Sequence, residues 1–442
     1  MTRFDPAGPL RGSLTPPPDK SISHRAAIVA AMGEGQTRIE GFLVSADTAA
    51  TANAMLQLGA TVEELDRSGD SATMSVGGIG LRGASMAEIN VHNAGTLLRL
   101  LPGWLAGQPA GEWRLDGDES IRRRPVDRVV APLRLMGAEV EARDDRLVPL
   151  TVRGAPLHGI EYRLPVASAQ VKSCLLLAGL LADTPTSVIE KRPTRDHTER
   201  MLRAAGADVR TENAGTPVTI HGELPAKRVT IAPAERLEPG EIVVPADLSS
   251  AAFLIVAALL VRGSEVRLEG VGINPGRIGL LGILTRMGAG IEVIETRAAG
   301  QEPVATIIAR SGPLQGVRVG GGEVPLAIDE LPLVALAGCF ADGDTVVSGA
   351  EELRHKESDR IATVVAGLSA LGASIEATED GFVVSGGAGL PGGTLDAAGD
   401  HRLAMLGAVA GVASGDGVEV SGMEAAAVSY PGFGDDLAAL RG

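Results

Sequence analysis

Positively charged side chains stand at the starts of several Ala- and Leu-rich segments that have the pattern of helices. Lys20 and Arg25 open the first segment, Arg99 and Lys172 lie near the starts of the next two, and Arg402 opens the last. A helix N-terminus carries unpaired N–H groups and the positive end of the helix dipole, so the dipole opposes a cation there. An anionic ligand removes that conflict. The pattern indicates an anionic substrate, whereas any single Lys or Arg is equally well explained as solvated surface charge.

Two carboxylates accompany these cations. Asp329 opens the fifth Ala- and Leu-rich segment, and Glu357 directly follows Lys356. Lys356 and Arg360 are four residues apart, which predicts that both lie on one face of a helix. An acid and a base among cations suit a reaction that moves protons on an anionic substrate, and neighbouring cations favour the ionised form of both carboxylates. Taken singly, either carboxylate could instead be a helix cap.

Motifs for several other chemistries do not occur in the sequence. Residues 78–83 match G-x-G-x-x-G after a β-like run, but no long helix pattern follows, so we predict a hairpin turn with a second short strand at Leu81 and Arg82. The chain has no G-x-x-x-x-G-K-[ST] loop and no G-x-S-x-G elbow. Its seven His residues show no metal-ligand spacing. We therefore predict neither a metal nor a cofactor.

One pattern recurs six times along the chain. Each copy has a polar opening, an Ala- and Leu-rich helix, a Gly stop and a short β-type run. A Gly-Ala pair, first at position 59 and last at 372, recurs five times in phase with this pattern and is typical of a helix end that turns into a strand. Equivalent positions of the six openings lie 72 to 80 residues apart, at Ser21, Ala94, Ala169, Ser249, Asp329 and His401.

The alternation of helix and strand within each repeat predicts α/β layers with crossover connections. Repeats of this kind need neighbours to bury their apolar faces. We therefore predict two bodies of three repeats each. The stiff or turn-forming segments at 16–18 and 237–240 suit the two chain crossings between these bodies.

Composition restricts the possible partners and compartments. The 442 residues have a formal net charge of −15, which argues against a broad nucleic-acid or membrane surface. Aromatic residues make up only 2% of the chain against 58 glycines, so the core must be built from small aliphatic side chains on closely packed backbones. Cys174 and Cys339 lie in apolar runs and are expected to be buried free thiols. Residues 1–9 lack the apolar region of a secretory signal, and the longest apolar run, 251–261, is too short for a membrane span. A soluble, cytoplasmic protein is predicted.

Eight sequence blocks that follow one another along nearly the whole chain resemble one known family. They are Pro18–Arg25, Asn93–Thr96, Arg124-Pro125, Ser168–Gln170, Arg195–Thr198, Ile328–Glu330, Leu353–Arg360 and Asp400–Met405. These blocks are similar to those of the EPSP synthases, the 3-phosphoshikimate 1-carboxyvinyltransferases of the shikimate pathway, which serves chorismate and aromatic amino acid biosynthesis. The Ser-Ala-Gln at 168–170 resembles the bacterial class II branch, because other members have Ser-Ser-Gln there.

The resemblance implies the two-domain enolpyruvyl-transferase fold. This is an α/β fold of six βαβαββ-type repeats, three in each domain, with the active site in the cleft between the domains. In this chain, residues 1–18 together with 240–442 would form the first domain and residues 19–239 the second. The two crossings would lie near 16–19 and 237–241.

The resemblance also implies the reaction. The enolpyruvyl group of phosphoenolpyruvate moves to the 5-hydroxyl of shikimate 3-phosphate, and phosphate is released. The reaction passes through a tetrahedral intermediate by addition and then elimination. Both substrates are anions that carry phosphate, as the cations at the helix starts require. The family further implies two small-molecule partners, no nucleic acid, no membrane and a monomer.

Residue roles are implied position by position, and several residues serve both substrates. The catalytic residues would be Asp329 as the base for the 5-hydroxyl proton, Glu357 as the acid at the methylene carbon, and Lys20. Shikimate 3-phosphate would be bound by Lys20, Ser21, Arg25, Ser168, Ala169, Gln170, Arg195, Asp329 and Lys356. Phosphoenolpyruvate would be bound by Lys20, Asn93, Gly95, Arg124, Gln170, Arg360 and Arg402. Arginine suits these anions because its planar guanidinium binds carboxylate or phosphate through two hydrogen bonds.

Two positions concern inhibition by glyphosate, which occupies the phosphoenolpyruvate place in this family. Gly95 stands where tolerant class II members have Ala, and Leu100 stands where sensitive members often have Pro. We expect Gly95 to determine the sensitivity to glyphosate, so that glyphosate binding is retained.

Some members of the family have a Lys just before an aromatic-Pro pair near the C-terminus. This chain has Ser429 there instead, in the sequence Ser429-Tyr430-Pro431.

Two alternatives remain at this stage. The sister enolpyruvyl transferase that acts on UDP-N-acetylglucosamine has Lys-Asn in place of Lys20-Ser21 and uses a Cys in a mobile loop, whereas neither Cys here lies in a polar loop. A non-catalytic repeat scaffold is the other alternative. It has no need for Asp329, Glu357 and the surrounding cations together.

Overall fold

The chain forms an α/β structure of many short elements. The computed structural model describes residues 1–214, 226–387 and 389–441. Over these residues the strands are β1 (Thr2–Phe4), β2 (Arg11–Leu14), β3 (Gln36–Leu43), β4 (Thr61–Ser68), β5 (Ser71–Gly77), β6 (Ala87–Asn90), β7 (Glu112–Asp116), β8 (Glu139–Arg143), β9 (Leu147–Arg153), β10 (Glu161–Arg163), β11 (Thr186–Glu190), β12 (Val209–Asn213), β13 (Lys227–Ile231), β14 (Glu241–Val243), β15 (Glu265–Gly272), β16 (Gly290–Ala299), β17 (Glu302–Arg310), β18 (Arg318–Val319), β19 (Asp344–Val347), β20 (Ser374–Ala377), β21 (Phe382–Ser385), β22 (Gly393–Asp396) and β23 (Val418–Ser421).

Helices alternate with these strands along the whole described chain. They are α1 (Lys20–Met32), α2 (Ala46–Gln57), α3 (Gly95–Ala106), α4 (Glu119–Arg123), α5 (Asp127–Leu135), α6 (Ala169–Gly179), α7 (His197–Ala204), α8 (Leu248–Leu260), α9 (Gly279–Arg286), α10 (Val324–Ala327), α11 (Leu331–Phe340), α12 (Arg360–Ala370), α13 (His401–Ala413) and α14 (Phe433–Ala439). Short 3₁₀ turns lie at Glu351–His355 and Met423–Val428.

The strands form six small sheets with a repeated topology. Five sheets have four strands, in the orders β14-β3-β5-β4, β6-β7-β9-β8, β10-β11-β13-β12, β2-β15-β17-β16 and β18-β19-β21-β20. In the second of these, β6 is parallel to β7, and β9 is antiparallel to both β7 and β8. The sixth sheet has the order β1-β23-β22. Six sheets of this kind, each built with its own helices, confirm the α/β repeat fold that the sequence predicts.

The chain divides into two compact units, each with its own hydrophobic core. Unit 1 comprises Met1–Pro17, Pro245–Ala298 and Pro303–Gly442, and unit 2 comprises Pro18–Val244 and Ala299–Glu302. Unit 2 extends to Val244 because β14 pairs in parallel with β3 and completes the sheet of the first repeat. In the same way β2 pairs in parallel with β15 and completes the sheet of the fourth repeat.

The first helix of each repeat is an inner helix of its unit. Inner helices are α1, α3 and α6 in unit 2, and α8, α11 and α13 in unit 1. Twelve of the 13 residues of α8 are buried, as expected for a helix that is apolar on all sides. Second helices such as α5, α7 and α9 bury one face only. The starts of the inner helices therefore collect the polar openings of the repeats.

Small residues let the inner helices approach closely. Gly103 of α3 faces α6, and a Cβ at this position would lie 2.1 Å from the backbone oxygen of Cys174. No side chain fits there unless the two backbones separate. Both cysteines are buried free thiols, as predicted. This packing explains why so few aromatic residues are needed in the core.

The segment 78–86 does not form the predicted hairpin. It is a loop between β5 and β6 without a strand at Leu81 and Arg82. Leu81 is buried, and its backbone oxygen accepts hydrogen bonds from Trp104 Nε1 and Gln108 Nε2, both at 2.8 Å. The side chains of Trp104 in α3 and of Gln108, just after α3, therefore take the place of the strand pairing that the local pattern predicted.

In the part of the chain that the structure describes, none of the helices combines the length and apolar character that crossing a membrane requires.

The close packing at Gly103 predicts a specific loss of stability. Gly103→Ala should lower the free energy of unfolding by about 1–3 kcal/mol, because the added methyl group separates α3 from α6. Gly282→Ala is the matched control, since a Cβ at this exposed position in α9 meets nothing within 4 Å. It should stabilise the protein by about 0.5–1 kcal/mol. Urea unfolding measures both, and equal effects of the two substitutions would refute the packing argument.

A buried histidine predicts a pH dependence of stability. His24 of α1 lies 2.6 Å from Thr51 Oγ1 through Nδ1, and burial lowers the pKa of His24 to about 3. The unfolded chain binds a proton near pH 6.5 that the folded chain does not, so the stability contributed by neutral His24 is complete above pH 6.5 and falls as the pH decreases toward 3. As the pH decreases from 6.5 to 5, His24 should lower the free energy of unfolding by about 2 kcal/mol.

Comparison with His24→Gln isolates this effect. The variant lacks the titrating group, so the difference in unfolding free energy between wild type and variant should shrink by that amount over the same pH interval. A difference that stays constant from pH 6.5 to 5 would show that His24 titrates normally in the folded protein.

Candidate active site

The start of α1 carries the first group of predicted site residues in unit 2. Asp19 caps the helix by accepting the Ile22 N–H at 2.9 Å. Lys20, the first residue of the helix, keeps about a fifth of its side chain exposed, and its Nζ lies 3.0 Å from Asp47 Oδ2. The carboxylate of Asp47 fixes this ammonium at the helix start against the repulsion of the dipole.

Arg25 joins the three elements that carry most of the predicted shikimate 3-phosphate contacts. It is buried, its Nε donates to Thr198 Oγ1 at 2.8 Å, and its Nη2 donates to Ser173 Oγ at 3.1 Å. Its Nη1 also donates to the backbone oxygen of Ser21 at 2.9 Å. One guanidinium therefore links the starts of α1, α6 and α7. Because it is always charged, it also places a fixed positive charge beneath Ser21.

The other predicted contacts of unit 2 lie beside this linkage. Arg195 Nη1 donates to Ser21 Oγ at 3.4 Å, which brings the loop at 191–196 to the start of α1. Ser168 caps α6 by accepting the Val171 N–H at 3.4 Å, so Ala169 is the first residue of the helix. The Gln170 amide donates to Thr96 Oγ1 at 3.2 Å and ties α6 to α3. The structure thus brings Arg195 to Ser21 and joins the starts of α6 and α3 through Gln170.

The start of α3 is surrounded by arginine. A Cβ at Gly95 would lie 2.9 Å from Arg99 Nη1 and 3.2 Å from both Cζ and Nη1 of Arg124. Asn93, just before the helix, donates to Asp118 Oδ2 at 2.8 Å. No side chain among the described residues caps this helix. Two guanidinium groups at a helix start of this kind form an arrangement that favours an anion.

In unit 1 the predicted base lies among three cations. Asp329 Oδ1 is 3.3 Å from Lys356 Nζ and 3.4 Å from Arg360 Nη1, and its Oδ2 is 3.9 Å from Arg402 Nη2. Arg402 also donates through Nη1 to the backbone oxygen of Asp329 at 2.7 Å. The carboxylate keeps 15% of its side chain exposed, so solvent or a ligand can reach it. These cations stabilise its ionised form.

Arg360 holds the predicted acid and the predicted base on one group. Its Nη2 lies 2.6 Å from Glu357 Oε2, while its Nη1 contacts Asp329. Its Nε lies 2.8 Å from Asp400 Oδ2, and both partners are buried. Burial opposes the charge on Arg360, but Asp400 and Glu357 outweigh it and raise the pKa of the guanidinium. Burial also opposes the charge on Asp400, and Arg360 nevertheless keeps the pKa of Asp400 below its usual value.

One prediction about the segment 356–360 is wrong, and one alternative reading of Glu357 does not hold. Lys356 and Arg360 do not share a helix face, because α12 begins only at Arg360 and Lys356 follows the preceding 3₁₀ turn. Glu357 is not a helix cap, because Asp359 accepts the Ala362 N–H at 3.1 Å and caps α12. The non-helical residues between the two helical segments instead bring Lys356 and Arg360 to the same carboxylate, that of Asp329.

Lys172 does not act as the free cation that the sequence pattern suggested. Its side chain is buried, and its Nζ lies 2.9 Å from Glu190 Oε2 and 2.7 Å from Glu199 Oε1. Two internal carboxylates therefore satisfy this ammonium, and it contributes no net attraction for a substrate anion. The other predicted cations of unit 2, which are Lys20, Arg25 and Arg99, lie near the N-terminal ends of their helices.

Sequence reasoning missed the internal carboxylates that hold the cations. These are Asp47, Glu190, Glu199, Glu330 and Asp400. Glu330 accepts from Arg402 Nη1 at 3.2 Å and from the hydroxyl of Ser249. Asp400 and Glu330 had a visible signal, since Asp400 directly precedes His401 and Arg402 and Glu330 directly follows Asp329. Asp47, Glu190 and Glu199 come from distant parts of the sequence and have no common spacing.

The two clusters can therefore bind anions and move protons. Unit 2 offers cations and hydroxyl groups at the starts of three inner helices. Unit 1 offers two partly exposed carboxylates on a shared guanidinium, with a further Lys and Arg in contact. A carboxylate that can accept a proton and another that can donate one are the groups that general acid–base catalysis needs.

Comparison with known proteins agrees with this chemistry. The family model described as EPSP synthase (3-phosphoshikimate 1-carboxyvinyltransferase) matches residues 4–437. A 3-phosphoshikimate 1-carboxyvinyltransferase of Synechococcus sp. (strain WH7803) is 46% identical over 98% of this chain and 97% of its own length. One of Acidithiobacillus ferrooxidans (strain ATCC 53993 / BNL-5-31) is 47% identical over 98% of this chain and 96% of its own length.

A solved structure extends the agreement to three dimensions. The structure of the EPSP synthase from Acinetobacter baumannii matches with a TM-score of 0.84 and 40% sequence identity, and the match covers 100% of this chain and 98% of that chain. The family model, the relatives and the structure all span nearly the full length. The chain belongs to the EPSP synthase (3-phosphoshikimate 1-carboxyvinyltransferase) family.

Proposed function

We propose that this protein transfers the enolpyruvyl group of phosphoenolpyruvate to the 5-hydroxyl of shikimate 3-phosphate and releases phosphate. The observation that carries the proposal is the placement of Asp329 and Glu357 on the guanidinium of Arg360. A transfer of this kind needs one proton removed from a hydroxyl and one proton added to a carbon. Two carboxylates held side by side among cations suit both steps.

Shikimate 3-phosphate is assigned to the residues of unit 2. Ser21, Arg25 and Arg195 form one contact network, and Ser168 to Gln170 begin the neighbouring inner helix. Hydroxyl groups and guanidinium groups around helix starts are donors that a phosphate ester accepts. Lys20 and Lys356 are proposed to contact this substrate as well, with Lys20 also reaching the second substrate.

Phosphoenolpyruvate is assigned to two sets of residues. The first set is Asn93, Gly95 and Arg124 at the start of α3, together with Gln170. The second set is Arg360 and Arg402, whose guanidinium groups suit a carboxylate and a phosphate. In the protein without ligand, Asp329, Glu357 and Asp400 neutralise much of the charge of Arg360. A substrate anion therefore has to replace part of this internal neutralisation.

The chemistry divides into an addition and an elimination. Asp329 removes the proton of the 5-hydroxyl while the oxygen attacks C2 of phosphoenolpyruvate, and Glu357 delivers a proton to C3. In the resulting tetrahedral intermediate, Glu357 takes a proton back from C3, the double bond reforms and phosphate leaves. Cations near the leaving phosphate stabilise the charge that develops on it. The monomeric state and the cytoplasmic location remain predictions.

The sister reaction on UDP-N-acetylglucosamine is not favoured. That family uses a Cys in a mobile loop, whereas Cys174 lies within α6 and Cys339 within α11, and both are buried. Burial raises the pKa of Cys339 to about 12 and also raises the pKa of Cys174. Neither thiol forms a thiolate at neutral pH. The two relatives described above also carry the name 3-phosphoshikimate 1-carboxyvinyltransferase.

Removal of the proposed base tests the function directly. Asp329→Asn keeps the size of the side chain but cannot accept the hydroxyl proton, so kcat in a phosphate-release assay with both substrates should fall at least about 100-fold. Binding of shikimate 3-phosphate, measured by calorimetry, should change much less. Asp344→Asn, at an exposed position of β19, is the matched control and should keep full activity. Undiminished turnover of Asp329→Asn would remove this residue as the base.

The start of α3 predicts the effect of one methyl group on inhibition by glyphosate. In Gly95→Ala the new Cβ displaces the guanidinium ends of Arg99 and Arg124, which lie within about 3 Å of it. Inhibition should therefore weaken strongly in the variant, while wild type, despite Leu100, should be inhibited. Titration of both proteins with glyphosate at fixed phosphoenolpyruvate measures this. Equal and weak inhibition of both would show that Gly95 does not decide sensitivity.

A further inference from the structure

A buried cluster of three charges lies beneath the proposed shikimate 3-phosphate residues of unit 2. Lys172 Nζ is 2.9 Å from Glu190 Oε2 and 2.7 Å from Glu199 Oε1, and no more than 2% of any of the three side chains is exposed. With both carboxylates ionised, the cluster has one negative charge in excess. Buried ions are costly unless they are closely paired. We refer to these three residues as the buried triad.

Burial and ion pairing have opposite effects on the charges of the triad. Burial opposes the charge on Lys172, but the two glutamates outweigh it and raise the pKa of the ammonium. Burial is also the main reason that the pKa of Glu199 is raised, and the charge of Lys172 only partly offsets it. Lys172 Nζ donates to Glu190 Oε2 at 2.9 Å, which leaves Glu190 Oε1 for a partner outside the triad.

Each member of the buried triad lies either on the helix that begins with proposed substrate contacts or on an element next to the loop that carries Arg195. Lys172 is in the first turn of α6, two residues after Gln170. Glu190 is the last residue of β11, and Glu199 is the third residue of α7. The loop at 191–196 connects these two elements. It carries Arg195, whose Nη1 reaches Ser21 Oγ at 3.4 Å.

A single side-chain contact connects the triad to this loop. The hydroxyl of Thr194 donates to Glu190 Oε1, while Glu190 Oε2 is held by Lys172. Thr194 directly precedes Arg195 in the sequence. The loop also contains Lys191 and Arg192, both exposed, so like charges around Arg195 repel one another. An anchor next to Arg195 opposes this repulsion and limits where its guanidinium can go.

We propose that Glu190 is a positioning residue for shikimate 3-phosphate: fixed by Lys172, it accepts the Thr194 hydroxyl and so holds the loop at 191–196 with Arg195 against Ser21. The inference rests on the proposed function, because that function makes Arg195 and Ser21 contacts of this substrate. Glu190 acts through Thr194 and Arg195 and does not touch the substrate itself. The binding energy lost without it comes from ordering the loop at the moment of binding.

The two glutamates provide a matched pair of variants. Glu190→Gln and Glu199→Gln remove the same charge from the same ammonium at nearly the same distance. Glu190→Gln also weakens the acceptor for Thr194, whereas Glu199→Gln leaves that acceptor in place. Thr194→Val removes only the hydroxyl and leaves the triad intact. It therefore keeps the test decisive even where Glu190→Gln folds poorly.

Steady-state kinetics with both substrates separate positioning from general stability. Glu190→Gln and Thr194→Val should each raise KM for shikimate 3-phosphate about tenfold, the effect of losing one hydrogen bond to a charged group. Their kcat and their KM for phosphoenolpyruvate should stay within about twofold of wild type, as expected when only substrate positioning is lost. The double variant should be no worse than the worse single variant, because both remove the same contact. Glu199→Gln should leave all three constants near wild type.

Calorimetric binding of shikimate 3-phosphate gives a readout that does not depend on turnover. An unchanged KM and Kd in Thr194→Val, or an equal loss in Glu199→Gln, would overturn the inference while wild-type activity leaves the proposed function standing. A wild-type protein that neither binds shikimate 3-phosphate nor turns over both substrates would overturn the proposed function, and the inference with it. A selective rise of KM and Kd in Glu190→Gln and Thr194→Val supports both.

Discussion

Internal pairing of buried charges is the interaction on which the candidate site depends. Arg360 is 1% exposed and stays charged inside unit 1 because Asp400, which is completely buried, lies 2.8 Å away. Lys172 stays charged inside unit 2 because Glu190 and Glu199 surround it. An uncompensated ion in such a place would cost several kcal/mol. The carboxylates therefore make it possible for cations to stand at the starts of buried helices, where the dipole opposes them.

The need to pair buried charges also explains why the site is built from repeats. Each repeat contributes an inner helix whose apolar body fills the core and whose polar opening is left at one end. The openings bring together side chains that are far apart in sequence, since Arg25 contacts Ser173, 148 residues away, and Thr198, 173 residues away. Close packing of small residues, such as Gly103 against the backbone of Cys174, brings the openings near each other. Catalytic side chains from different repeats then need to extend only a short distance to reach one another.

Much of the fold and of the site could be predicted from the sequence because both follow local patterns. Helix openings, Gly-Ala helix ends and the motif residues from Lys20 to Arg402 are visible along the chain. The exchange of β2 and β14 between distant repeats was not predictable in this way, since the pairing of β14 with β3 joins residues about 200 apart. Asp47, Glu190 and Glu199 were missed for a related reason. A buried acid is recognised by the cation that it contacts in the folded structure, and the spacing of residues in the sequence does not indicate that contact.

Deuterium incorporation tests the central claim most directly. The account requires Glu357 to add a proton to C3 of phosphoenolpyruvate and to remove one from the same carbon, after Asp329 has deprotonated the 5-hydroxyl. In D₂O with both substrates, mass spectrometry should show a product one enolpyruvyl unit heavier than shikimate 3-phosphate, with deuterium in its methylene group and one phosphate released for each product formed. Release of phosphate without this product, or a product whose methylene group carries no deuterium, would contradict the account.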